Sequence, residues 1–315
     1  MEGPKLTSHI AILGAGSVGS AIAYALILNP IAGDILLVDP QEEMRDAQVK
    51  DLSDATFHGS TECRVRAGTH KEAGQCDIVV ITAGAKQKKG ESRTDLIGRN
   101  QKILKSAIND MKPFKEDTVV LLVANPVDVL TYFAQKYSGL PRTQVIGTGT
   151  FLDSSRLRGF LAKEAEVSAS SIDAFVLGEH GESQFVAWSI ATIAGVPIGT
   201  ALPGNKINRQ EIADATRDKA ASIINTKGAT NYGIGAVASS ICKSILHDHR
   251  NIRPVSHFVE SLNVCISVLT VLGRKGIVRN LPVHLNEEEQ KMLQESAKSL
   301  REIIDDAEKH ENDDV

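Results

Sequence analysis

Short, wholly apolar runs recur along the first half of this chain, each followed by a break marked by glycine, acid or amide and then by a longer stretch with apolar residues at helical spacing. The clearest runs are Ile10-Ala11-Ile12-Leu13, Ile35-Leu36-Leu37-Val38, Ile78-Val79-Val80-Ile81 and Val119-Val120-Leu121-Leu122-Val123. Strands without polar alternation are buried on both faces, which is how parallel sheets are covered. Segments 64–68 and 144–147 read as two further strands. The intervening stretches 20–28, 42–54, 95–111 and 127–137 read as helices, with Pro30 and Pro113 marking two stops. Strands alternating with helices predict an α/β fold, a doubly wound parallel sheet of the Rossmann type. In such sheets ligands bind beyond the carboxyl ends of the strands. Asp39, Gly84, Asn125 and Gly147 stand at those ends.

The second half has a different pattern. Helices are predicted over 153–165, 208–227, 235–246 and 287–308. Segments 173–177 and 182–194 flank a glycine-bounded histidine, and a Val-, Leu- and Ile-rich stretch to Leu272 reads as antiparallel strands. This is an α+β pattern, expected to form a second, substrate-handling and catalytic domain. The boundary is placed at Gly147-Thr148-Gly149, whose glycines can serve as a joint, giving domains 1–148 and 149–315. The acidic end, 308–315, reads as a solvated, frayed tail.

Composition narrows the partners. The chain has 315 residues, a net charge of −4 and 4% aromatic residues, so aliphatic packing dominates its core. No long basic run favours nucleic acid. Cys63, Cys76, Cys242 and Cys265 lack metal-ligand or C-x-x-C spacing and read as reduced, buried thiols. Residues 1–8 carry neither a signal-peptide core nor the Arg-rich character of a transit peptide, and no apolar run reaches membrane-spanning length. A cytoplasmic protein without bound metal, nucleic-acid partner or membrane contact is expected. His247-Asp248-His249 could be read as metal-binding, but a solvated loop is the favoured reading.

Gly14-Ala15-Gly16-Ser17-Val18-Gly19 sits between a predicted strand and a predicted helix, the context in which this spacing binds a dinucleotide pyrophosphate. The second strand ends in Asp39, 20 residues after Gly19. A carboxylate there accepts hydrogen bonds from an adenosine ribose and repels a 2′-phosphate, which favours NAD over NADP. Downstream, Asp153 and Arg156 lie three residues apart, and His180 is held in Gly178-Glu179-His180-Gly181-Glu182-Ser183. An acid that orients an imidazole and a guanidinium that grips a carboxylate are what moving a proton on a small hydroxy or keto acid requires.

Taken together, Gly14 to Gly19, Ala83-Gly84-Ala85-Lys86-Gln87, Gly90-Glu91-Ser92-Arg93, Asn125-Pro126-Val127-Asp128, Leu152-Asp153-Ser154-Ser155-Arg156-Leu157-Arg158, Gly178 to Ser183 and Lys227-Gly228-Ala229-Thr230 resemble the L-lactate/malate dehydrogenase family, and more closely its lactate branch. The resemblance runs over nearly the whole chain. It implies NAD-dependent interconversion of L-lactate and pyruvate, with His180 as acid/base, Asp153 as its orienting carboxylate and Arg156 gripping the substrate carboxylate. Arg93 matches the arginine of the family's active-site loop. Gln87 falls where lactate dehydrogenases carry Gln and malate dehydrogenases Arg, and Thr230 and Asn125 match pocket residues. The cofactor set implied is Gly14, Gly16, Val18, Gly19, Asp39, Ala83, Gly84, Lys86, Val123 and Asn125. The Asn125–Pro126 peptide is expected to be cis.

The resemblance also implies a homo-oligomer, a tetramer by preference and otherwise a dimer. Two rival readings follow: a malate dehydrogenase in which Lys88 or Lys89 replaces the missing arginine, and a non-catalytic NAD-binding member of the family. Two departures stand out. Glu182 replaces the family's usual Asp, which could perturb hydrogen bonding around His180. Asp173 stands where bacterial relatives place a histidine that, with the counterpart of Arg158, binds fructose 1,6-bisphosphate, so that effector site is expected to be incomplete.

Overall fold

A computed structural model of the chain describes residues 7–57, 63–85, 93–202 and 207–313. Strands β1 (His9–Leu13), β2 (Asp34–Val38), β3 (Arg64–Ala67), β4 (Ile78–Ile81), β5 (Val119–Leu122) and β6 (Val145–Gly147) pair in parallel, in the order β3-β2-β1-β4-β5-β6. The connecting helices are α1 (Ser17–Leu28), α2 (Glu42–Thr56), α3 (His70–Ala73), α4 (Arg93–Met111) and α5 (Val127–Ser138). The direction of winding reverses between β1 and β4, where doubly wound sheets open a crevice for ligands. The predicted strands and helices are all present within a few residues of their expected ends. Helix α3 was not legible in the pattern: its four residues are too few for a period, and it is set by a capping box between Thr69 and Glu72.

The second half continues with α6 (Phe151–Ala165), β7 (Ile172–Asp173), β8 (Val176–Leu177), β9 (Phe185–Val186), β10 (Thr192–Ile193), β11 (Val196–Pro197), α7 (Ile198–Ala201), α8 (Arg209–Lys227) and α9 (Tyr232–Leu246). Next come β12 (Ile252–Val259), β13 (Val264–Gly273), β14 (Gly276–Asn280) and α10 (Glu287–Asp313). The expected antiparallel strands form, but they do not lie apart: β12 joins β6 through Ser256 opposite Gly147, extending one mixed sheet to nine strands. The intended joint is therefore packed. Gly147, Thr148 and Gly149 are buried, and Gly149 has φ +52°, with a Cβ there falling 2.3 Å from Ser267 Oγ.

Strand pleating explains how the sheet is covered. Ala11, Leu13, Val79, Ile81, Val120 and Leu122 face a core that includes Ile108 of α4, Phe133 of α5, and Leu300 and Ile304 of α10. Their neighbours Ile10, Ile12, Ile78, Val80, Val119 and Leu121 face another core with Ile22 and Leu26 of α1 and Ile241 of α9. Helices from the second half thus complete both layers over the first. Helix α10 runs past the expected end of ordered structure, so the acidic segment is not a frayed tail as far as Asp313. Glu308 pairs with Lys136 Nζ at 3.0 Å, and Glu311 with Lys105 Nζ at 2.7 Å and with the Tyr137 hydroxyl at 2.8 Å. These acids face cations on α4 and α5 rather than water alone.

All four cysteines are free and buried. No helix among the described residues is long and apolar enough to cross a membrane, and no group of three His, Cys, Asp or Glu among them could hold a metal ion. The His247 and His249 rings stack on each other with centroids 5.4 Å apart.

Candidate active site

At the crevice, the β1–α1 turn is shaped by the chain itself. Gly14 has φ +100° and donates its N–H to Val38 O at 2.8 Å; a Cβ there would stand 2.6 Å from Thr82 Oγ1. A Cβ on Gly19 would come 1.9 Å from Gly14 O, so only glycine lets α1 approach the turn. Gly16 differs, with nothing within 4 Å of a Cβ. The protein does not fill that space, and a pyrophosphate could. Helix α1 starts without an acidic residue in its first turn and without a side-chain cap, leaving its N–H groups and positive end for an anion. Asp39 is anchored by Ala15 N–H on Oδ2 and Gln41 N–H on Oδ1, both at 2.8 Å, and each oxygen keeps a lone pair for a ribose hydroxyl. These features fit a dinucleotide.

The strand ends beside it are tied by a residue the sequence pattern did not single out. The buried amide of Asn100, on α4, accepts from Ala85 N–H at 2.7 Å and donates to Asn125 O at 3.1 Å. It lies within 3.7 Å of where a Gly84 Cβ would be. Val18 and Ala83 are half-buried against the two cores, Val123 is buried, Gly84 and Asn125 are exposed, and the Asn125–Pro126 peptide is cis. Lys86, Gln87, Lys88 and Lys89, and the side chain of Arg93 at the start of α4, lie outside the described residues.

A His–Asp–Arg cluster is assembled from α6 and the β8–β9 hairpin, whose loop carries residues 178–184. One turn of α6 places Asp153 and Arg156 on the same face. Asp153 Oδ1 accepts from Arg156 Nη1 at 3.1 Å, and its Oδ2 lies 2.7 Å from His180 Nδ1. Both residues of α6 are buried, while the His180 side chain keeps 25% of its exposure, so the imidazole is open on one side. Burial alone would push the Asp153 carboxyl up, but the facing His180 and Arg156 hold it below its ordinary value. Burial likewise opposes charging of His180. The charge and hydrogen bond of Asp153, with Asp128 behind it, still hold the ring above the usual imidazole value.

Asp128, at the start of α5, reaches the same loop although the sequence pattern assigns it no role. Its Oδ2 accepts the main-chain N–H of His180 at 2.7 Å. Burial pushes this carboxyl up to about 6, against the hydrogen bond from the His180 N–H and the charge of His180 that pull it down. Its negative charge favours the protonated imidazole. Asp128→Asn is therefore expected to lower the His180 pKa, so that any turnover that depends on the protonated ring falls off at lower pH than in the parent. A pH profile of kcat/KM with an unmoved alkaline limb would exclude this coupling.

Other expected residues fall elsewhere. Thr230 is half-buried in the link after α8, and among the described residues it makes no hydrogen bond to the Asp153–His180 pair. Glu182 is exposed, whereas Glu179 is buried and its carboxylate lies 2.6 Å from Ser183 Oγ. Arg158 donates to Ala174 O at 3.2 Å, and its Nη2 is 3.9 Å from Asp173 Oδ1.

A dinucleotide crevice joined to a charged His–Asp–Arg group defines an NAD-dependent oxidoreductase. The chain belongs to the lactate/malate dehydrogenase family: residues 8–147 match the model of its NAD binding domain and residues 150–311 that of its alpha/beta C-terminal domain. It is 46% identical over 298 residues to an L-lactate dehydrogenase A from Rhizopus oryzae, covering 95% of this chain and 92% of that protein. It is 38% identical over 316 residues to an L-lactate dehydrogenase from Acetivibrio thermocellus, covering 96% and 98% of the two. Among solved structures it superposes with a TM-score of 0.92 on a lactate dehydrogenase from a Medee basin deep-sea metagenome library, at 33% identity over 96% of this chain and 99% of that one. A minor L-lactate dehydrogenase from Enterococcus mundtii gives a TM-score of 0.90 at 32% identity, over 95% of this chain and 98% of that one.

Proposed function

We propose that this chain is an NAD-dependent L-lactate dehydrogenase in which Asp153, Arg156 and His180 handle the substrate. The observation that carries the reading is the single buried carboxylate shared by a guanidinium and an imidazole, Asp153 between Arg156 and His180. Bound NAD supplies or takes the hydride. In reduction, His180 gives its proton from Nε2 to the carbonyl oxygen of the 2-keto acid; in oxidation it takes back the hydroxyl proton. Asp153 fixes the ring through Nδ1 and stabilises its charged form. Arg156 grips the substrate carboxylate with its remaining N–H groups, in a planar geometry that Lys does not offer. Arg93 stabilises negative charge developing on the reacting oxygen. Asn125 and Thr230 line the pocket, and Gln87 leaves its far end neutral.

Gly14, Gly16, Val18, Gly19, Asp39, Ala83, Gly84, Lys86, Val123 and Asn125 hold the cofactor. The names of its relatives support lactate over malate as the hydroxy acid. The test is steady-state kcat/KM with NADH for pyruvate and oxaloacetate: a higher value for oxaloacetate would make this a malate dehydrogenase. The reading includes a homo-oligomer, a tetramer by preference, in the cytoplasm. Tyr24, Leu28, Met44 and Phe57, exposed on and beside α1 and α2, are apolar surface that such an assembly would cover.

No activation by fructose 1,6-bisphosphate is expected through Arg158, since the neighbouring Asp173 carboxylate repels a phosphate. A several-fold rise in pyruvate reduction on adding the sugar bisphosphate at micromolar concentration would overturn that expectation.

A further inference from the structure

The loop that carries His180 is bracketed by hydrogen bonds that the chemistry above does not use. The main-chain N–H of Glu179 donates to Ser296 Oγ, on α10, at 2.8 Å. Ser183 Oγ lies 2.6 Å from Glu179 Oε2 and 2.9 Å from Ser296 Oγ. Donor and acceptor capacities fix the directions. A main-chain N–H only donates and an ionised carboxylate only accepts, so Ser183 gives its proton to Glu179. Ser296, which accepts from Glu179, gives its own proton to Ser183. The result is a closed, one-way ring: Glu179 N–H to Ser296, Ser296 to Ser183, and Ser183 back to the Glu179 carboxylate.

Ser296 is fully buried and Glu179 is 4% exposed, so a broken ring leaves polar groups without water to replace the lost partner. In a one-way chain each bond also polarises the next. The ring fixes the residue before His180 and a residue three after it. Two other elements hold the same loop: Gly178 exchanges main-chain hydrogen bonds with Ser267 of β13 at 3.0 and 3.1 Å, and Asp128 holds the His180 N–H.

We propose that Ser296 is a positioning residue: through Ser183 and Glu179, helix α10 sets where the His180 imidazole stands against Asp153. This rests on the acid–base role proposed for His180. Small displacements of a reacting group cost rate steeply, so Ser296→Ala is expected to lower kcat for pyruvate reduction about 10-fold or more. NADH affinity, read by fluorescence titration, is expected to stay unchanged, because the β1–α1 turn and Asp39 are not part of the ring. Ser296→Cys, nearly isosteric but a weak donor, is expected to fall between Ser296→Ala and the parent, whereas a packing role alone would leave it like the parent.

Leu300→Ala is the control. Leu300 lies one turn along α10 and is buried in its core face, so its loss destabilises the same helix without touching the ring. It is expected to lower Tm and leave kcat within about twofold of the parent. Because the ring acts as a unit, Ser183→Ala combined with Ser296→Ala is expected to lose no more than the worse single variant; additive losses would mean two independent contacts.

The titration of the His180 ring, followed by NMR, reads position without turnover. The groups facing it, Asp153, Asp128 and Arg156, are unchanged in Ser296→Ala. Loosening the Asp153 contact therefore moves the ring titration to lower pH. An unmoved titration, or a Tm loss with kcat kept, would overturn the proposal. A parent enzyme that fails to reduce 2-keto acids with NADH would instead refute the functional reading.

Discussion

A His180→Asn enzyme is expected to bind NADH as the parent does and to reduce pyruvate about 10²- to 10⁴-fold more slowly, the usual range for removing a general acid–base. The asparagine amide can still donate to Asp153 Oδ2, which sits 2.7 Å from His180 Nδ1, so the buried carboxylate keeps a partner and the loop has little reason to move. What is lost is the titratable proton. In the proposed mechanism, reduction needs the protonated ring. Because Asp153 and Asp128 hold its pKa above the ordinary imidazole value against the effect of burial, reduction should fade only as pH rises through that raised value, and oxidation should gain over the same interval. The variant should show neither limb. Single-turnover rates with bound NADH at several pH values measure this, and turnover within about tenfold of the parent would remove His180 from the chemistry.

Gln87→Arg is expected to shift kcat/KM toward oxaloacetate over pyruvate by roughly 10²-fold, taking one buried charge pair as worth ~3 kcal/mol. Oxaloacetate carries a second carboxylate, and in the proposed site the neutral amide of Gln87 would give that charge no partner. Gln87 lies outside the described residues; its place in the Ala83-Gly84-Ala85-Lys86-Gln87 motif and the charge of the substrate carry the expectation. If Lys88 or Lys89 already serves the second carboxylate, the parent will reduce oxaloacetate well and the substitution will change little. The ratio of the two kcat/KM values, in parent and variant, separates these outcomes.

Much of the fold was legible because the sheet is buried on both faces. Runs such as Ile78 to Ile81 must be apolar at every position, and this distinguishes them from helices of period 3.6. The glycine turn was legible for a steric reason: Gly14 and Gly19 have no room for a Cβ. The Asp153–Arg156–His180 cluster was legible as a candidate because Asp153 and Arg156 are one helical turn apart and His180 stands in a glycine-bounded segment. The position of β12, β13 and β14 was not, since antiparallel pairing with β6 depends on contacts more than 100 residues away, such as Ser256 with Gly147. The acidic end misled for the same reason: its cations, Lys105 and Lys136, lie on other helices.

The sequence by itself determined the alternation of strands and helices, the dinucleotide turn with Asp39, and the choice of Asp153, Arg156 and His180 as candidates, which the structure brings together. These follow from local sterics and from chemistry that only certain side chains possess. Only the tertiary structure decided that one sheet spans both halves, that Asp128, Asn100 and the Glu179–Ser183–Ser296 ring hold the loop and strand ends, and that Glu179 is buried while Glu182 is exposed. Those are facts of burial and of distant partners. A carboxylate, amide or hydroxyl has the same pattern value in the sequence whether it meets water or a main-chain N–H brought to it by another element.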